Sequence, residues 1–135
     1  MYLYLLFAHN LFRWLVLISL LCSIGIAYAG WTRKSAFSAT ANAFRHWTAT
    51  IAHLQLVLGI TLYFKSPAVS VEPFFRFIHP LLMIAAVVVV TIGSARAKRA
   101  PEDREKFQTM LRWFSFALFL ILAAVPWWRP LFRIC

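Results

Sequence analysis

Four apolar stretches, at residues 3–29, 46–64, 77–95 and 107–125, alternate with short polar breaks along the chain, and no acidic residue interrupts any of them. Each is close to the ~20 residues that cross a hydrocarbon core as a helix. None alternates with period two, and lipid leaves an open backbone unsatisfied, so the pattern predicts four transmembrane helices and no barrel. The breaks are short enough to force successive helices antiparallel. The expected fold class is therefore all-α: one integral membrane domain, residues 1–135, folded as an up-down-up-down four-helix bundle.

The breaks set an expected orientation. The first, residues 30–45, holds Arg33, Lys34 and Arg45 with no acid, together with Ser35, Ser38, Thr40 and Asn42 as turn and cap material. The third, residues 96–106, holds Arg96, Lys98, Arg99, Arg104 and Lys106 beside Glu102, Asp103 and Glu105. Both breaks fall on one side, and the positive-inside rule makes that side cytoplasmic, leaving both termini extracytoplasmic. The aromatic residues agree. Tyr28, Trp31, Trp47 and Trp113 gather at the expected inner boundary, and Tyr2, Tyr4, Tyr63, Trp127 and Trp128 at the outer one. Pro101 ahead of Glu102 and Asp103 suits a helix start, with acids at the positive end of the dipole. Pro126 suits a stop, and Pro67 and Pro73 bracket an outer loop whose Phe74, Phe75 and Phe77 are expected in the headgroup region.

Composition fixes the class more firmly. Of the 135 residues 62% are hydrophobic and 13% charged, and the mean hydropathy is +0.74, far above an ordinary soluble domain. The formal charge of +10 is 14 basic residues less four acidic ones, with most of the basic residues in the breaks. With no separate basic domain, their expected partner is anionic lipid in the bilayer and not nucleic acid. Cys22 and Cys135 form no CxxC or CxH spacing, which argues against a disulfide framework, a zinc site and covalently attached haem. Arg13, the run of residues 15–21 and Ala27-Tyr28-Ala29 before Gly30 imitate a secretory signal with a cleavage site; the expectation here is a retained helix.

Candidate chemistry rests on four histidines in or at the edge of the apolar stretches, where ionisable groups are costly and mark ligand sites or pathways. At about 1.5 Å per residue, His9 stands roughly 28 Å above Tyr28 and His79 roughly 25 Å above Arg96, so the two share a level near the outer face. His53 stands only about 12 Å above Arg45, and His46 sits at the inner boundary beside Trp47 as an interfacial residue. The first and third helices are diagonal partners in such a bundle. Their axes are expected roughly 11–14 Å apart, too far for direct ring contact but suited to two imidazoles flanking a planar macrocycle. His9 and His79 are thus candidate axial ligands of a b-type haem, with Arg13 and Arg76 as candidate partners of its propionates. The competing reading has Arg13 snorkelling outward and His79 capping its helix ahead of Pro80. His53 is a weaker candidate ligand, a proton- or quinone-binding group, or an imidazole bonded to Ser19, Ser23 or Thr91. Gly25, Ala29, Gly59, Ala85, Ala86 and Gly93 are candidates for close helix packing.

The segments AHNLFRW (residues 8–14), HLQLVLGITLYF (53–64) and HPLLMIAAVVVVTIG (79–93) resemble those of a family of small bacterial four-helix membrane proteins labelled cytochrome b-like, over most of the chain. The resemblance implies haem, a place in the bacterial cytoplasmic membrane and His9, His53 and His79 as the matching histidines, with His46 outside the pattern. More distantly the layout resembles the four-helix membrane protoporphyrinogen oxidases. Their third helix brings a Trp-His-Leu-Lys type motif, whereas Ile78-His79-Pro80-Leu81 stands here with no lysine.

Three functions follow as expectations. The first is a bis-His b-type cytochrome in electron transfer. The second is a quinone or porphyrinogen oxidoreductase using the same site, hampered by the lack of any carboxylate in the apolar stretches. The third is a non-catalytic accessory subunit of a larger respiratory or transport assembly in the membrane, its histidines bonding neighbouring helices; the expected partners are other membrane redox subunits or further copies of the chain. A copper site at His79 and Met83 is weaker, because Met at helical spacing is ordinarily packing. No phosphate loop, catalytic triad or HExxH motif is present, so catalytic residues stay unassigned.

Overall fold

The computed structural model describes residues 2–125, and all the long elements within them are helical. Pro126, Trp127, Trp128 and Cys135, weighed above from the sequence, lie outside the described residues. Helix α1 spans Tyr2–Arg33, α2 Ala39–Lys65, the short α3 Pro67–Val71, α4 His79–Arg99 and α5 Asp103–Ala124, with a π-helical segment, Phe74–Ile78, running directly into α4. Four of these helical runs are long and apolar enough to cross a membrane. They form a ring in which α1 packs on α2 and α5, and α4 packs on the same two, so α1 and α4 stand diagonally. The α2–α4 seam is the thinnest of the four.

Two helices begin earlier than their apolar runs. Helix α2 starts seven residues before His46, because Ser38 caps it by accepting the Ala41 amide at 3.1 Å. Arg45, read from the sequence as the last residue of a polar break, is therefore a buried residue of α2. Likewise α5 opens at Asp103 with Asp103 and Glu105 in its first turn, as the proline and acids predict. Lys106 folds back to donate to the carbonyls of Ala97 at 3.2 Å and Lys98 at 2.7 Å, closing the C-terminus of α4. The connection between α2 and α4 differs from a simple loop. Phe74 and Phe75 do not all turn outward with the exposed Phe77 but are half-buried.

The interior is a narrow stack in which Leu20, Val90, Met110 and Phe114 are fully buried. Ser23 and Thr48 share a 2.8 Å hydrogen bond between α1 and α2, and Thr48 Oγ1 also reaches the Ser19 carbonyl at 3.3 Å. Large apolar side chains such as Ile18, Leu21, Val57, Val88 and Phe119 stay exposed around the circumference, the inverse of a water-soluble bundle. Close helix approach uses small residues, only some of them those picked from sequence. The Phe107 ring lies against Gly30, and the Trp113 side chain against Gly93, where any β-carbon would collide. Gly25, by contrast, faces open space. At the end of the bundle where the basic breaks meet, Arg96 stacks on Trp113 at 5.3 Å and Arg104 on Trp31 at 5.9 Å.

Candidate functional site

One stripe on each diagonal helix builds the site. On α1, His9 and Arg13 continue into the buried Val16 and Leu20; on α4, His79 and Met83 continue into the buried Ala86 and Val90. Both series have spacings of four, three and four, so each polar group sits on the helix face that turns toward the bundle axis. The result is that His9 and His79 meet. Their ring centroids are 6.4 Å apart and the planes are inclined at 77°. This is closer than the axis spacing expected from sequence, because the two side chains reach inward from diagonal helices and close the gap between the axes.

His79 is held from three sides. Its Nδ1 lies 2.8 Å from the Ala124 carbonyl of α5. A carbonyl only accepts, so in the neutral ring Nδ1 carries the proton and Nε2 keeps its lone pair. The Phe74 and Phe75 rings of the π-helical segment each stand 5.9 Å from the imidazole. The side chain thus spans to a neighbouring helix and does not serve as the cap of its own, since no side-chain cap bond is formed at the start of α4.

His9 is held differently. A β-carbon built on Gly59 of α2 would come within 3.3 Å of its Cε1, so only glycine leaves the ring its place without displacement. The Gln55 amide donates from Nε2 to the His9 carbonyl at 2.8 Å. Two buried polar atoms at this spot, His9 Nδ1 and Gln55 Oε1, have no hydrogen-bond partner among the described residues. Each such atom costs about 1–3 kcal/mol if left so.

A cavity of about 880 Å³ contains this constellation, at the upper end of the range of small-molecule and cofactor sites. His9, Arg13, Gln55, Gly59, Arg76 and His79 all line it, within walls that are otherwise mostly apolar, and no Asp or Glu is among the lining residues. Arg13 is half-buried, with its guanidinium 5.4 Å from the Trp14 ring. Arg76 is exposed on the π-helical segment, 5.8 Å from the Phe77 ring, and its carbonyl accepts the Tyr63 hydroxyl at 3.2 Å. Tyr2 and Ser66 pair at 3.4 Å beside the same cavity.

The structure brings together four of the five residues singled out from sequence, His9, His79, Arg13 and Arg76, and separates the fifth. The inward face of α2 runs through Thr48, Ala52, Gln55 and Gly59, which places His53 about 130° from the middle of that face. His53 is exposed and its Nε2 lies 2.8 Å from the Thr91 hydroxyl, one of the partners considered for it. It lines a second cleft together with His46, whose ring meets Trp47 edge-on at 5.3 Å. Gln55 and Gly59 were missed as site residues. Their i,i+4 spacing on a face shared with Ala52 was the available signal, obscured because an apolar helix gives little contrast between its faces. Among the described residues no group of three or more His, Cys, Asp or Glu converges; an axial imidazole pair is smaller than such a group. Comparison with family models, with curated proteins and with solved structures returned no match, so function is argued from the geometry of the site.

Proposed function

We propose that the chain is a four-span protein of the bacterial cytoplasmic membrane, basic end inside, that binds one b-type haem between His9 and His79 and serves in electron transfer. The observation that carries this reading is the imidazole pair itself. An imidazole nitrogen bonds a transition metal at about 2.0–2.1 Å and lies about 1.1–1.2 Å from its own ring centre, so coaxial ligands of one metal have centroids roughly 6.2–6.6 Å apart. The observed 6.4 Å falls inside that interval.

A haem in the cavity supplies a one-electron carrier. The chain's own residues have separate tasks toward it. The Ala124 carbonyl fixes the His79 ring and its tautomer, the outer-shell arrangement that orients a metal-binding imidazole and raises its basicity. Gly59 keeps the flank of His9 clear, and the Gln55 carboxamide oxygen is an acceptor suited to the His9 Nδ1 proton. Arg13 and Arg76 offer guanidinium groups to carboxylates. The apolar lining keeps water from the metal ligands. The oxidoreductase alternative needs an acid or base beside its substrate, and among the described residues the cavity lining offers no carboxylate for that role, only the two imidazoles and the Tyr2 and Tyr63 hydroxyls.

The test is a reduced-minus-oxidised spectrum and a haem assay on protein purified from haem-replete cells. The wild type and His53→Ala are expected to contain about one haem per chain, and His9→Ala and His79→Ala to lose it. A helical but colourless wild type, or haem loss in His53→Ala with retention in the other two, refutes the assignment.

A further inference from the structure

A second cleft, of about 580 Å³, opens between α2 and α4 at the basic end of the bundle. Its lining includes Arg45, His46, Thr50, His53, Lys98 and Arg99, and none of the chain's four acidic residues. Among these residues Arg45 is only 6% exposed. Its Nε donates to Asn42 Oδ1 at 2.9 Å and its Nη1 to Ser94 Oγ at 2.7 Å. Both partners are neutral, so the guanidinium is fixed across the seam without being neutralised. Lys98 and Arg99 are exposed on the last turn of α4 at the rim of the same cleft. Three cations facing one concavity repel each other, and an anion placed among them removes that repulsion and adds charge-assisted hydrogen bonds.

We propose that this cleft binds the phosphate of an anionic phospholipid headgroup. A phosphate matches the donors available: a pre-positioned guanidinium inside and two long flexible cations at the rim. A lipid source matches the surroundings. Just beyond the cleft, α2 exposes Leu54 and Val57 and α4 exposes Val88 and Ile92, an apolar track for acyl chains. Two hydroxyls along that track are already committed to their own helices, Thr50 to the His46 carbonyl at 3.1 Å and Thr91 to the Val87 carbonyl at 2.7 Å. Basic pockets between helices on the cytoplasmic side are the usual place for such headgroups. The inference rests on the membrane placement proposed above and not on haem.

The test compares thermal protection and lipid retention in mixed micelles of neutral detergent. The probes are phosphatidylglycerol, phosphatidylcholine, and phosphatidylcholine plus inorganic phosphate. Phosphatidylglycerol is expected to bind the wild type at least tenfold more tightly than phosphatidylcholine, and Lys98→Gln/Arg99→Gln to abolish the preference. Arg33→Gln/Lys34→Gln removes the same charge from exposed positions at the end of α1, outside the cleft, and is expected to keep it. Equal loss in both double variants means diffuse surface attraction and overturns the site. Saturation by inorganic phosphate alone overturns the lipid as its ligand. No preference in the wild type overturns both, whatever its haem spectrum shows.

Discussion

Gly59 offers the sharpest test of how the imidazole pair is held. A β-carbon there meets His9 Cε1 at 3.3 Å and Nδ1 at 3.9 Å. Carbon atoms prefer about 3.5–4.0 Å, so Gly59→Ala drives the ring back by about 0.2–0.7 Å. Ligand constellations tolerate about 0.5 Å, so haem is retained with a weakened or broadened signature. Stability changes little: overpacking costs about 1–3 kcal/mol, and replacing glycine inside a helix returns about 1 kcal/mol, for a net loss of about 0–2 kcal/mol. Gly59→Leu adds three further carbons that must enter the cavity beside the His9 ring, and it is expected to abolish haem binding. Gly25→Leu, where nothing lies within 4 Å, is the matched control and keeps it. The assay is haem per chain by pyridine haemochrome, with circular dichroism in detergent to verify that each variant is helical. A folded Gly59→Leu protein with full haem content and an unshifted Soret band refutes the placement of the ligand beside this glycine.

Two further outcomes concern the frame that carries the site. Gly93→Ala forces a β-carbon into the Trp113 side chain on α5, so thermal unfolding in detergent is expected to show a loss of at least about 1–3 kcal/mol; an unchanged midpoint would mean that the α4–α5 contact is looser than described. The buried Ser23–Thr48 bond is expected to contribute about 0.6 kcal/mol and at most about 1.7 kcal/mol in a double-mutant cycle of Ser23→Ala and Thr48→Val. A coupling energy indistinguishable from zero would show that the backbone carbonyls of Ser19 and Phe44, which the two hydroxyls also approach, carry the interaction instead.

Much of the architecture was legible along the chain. Uninterrupted apolar runs of spanning length have one economical backbone conformation, and short basic breaks allow one succession of directions, so four antiparallel helices and the shared level of His9 and His79 followed from counting residues. Arg13 and Arg76 could be placed near those histidines by the same rise per residue. Rotation was less accessible. An apolar helix in an apolar surrounding has little contrast between its faces, so periodicity could not say whether His53 or Gln55 turned inward on α2. The chain alone therefore determined lengths, order and heights. Tertiary packing decided azimuth: the fit of Phe107 on Gly30 and Trp113 on Gly93 sets how α5 seats against α1 and α4, and the approach of Gly59 to His9 sets how α2 faces α1. Those choices brought two imidazoles to 6.4 Å and left the third on a separate, cationic cleft. They depend on which side chains interlock across helices, a property of pairs of surfaces that no single stretch of sequence contains.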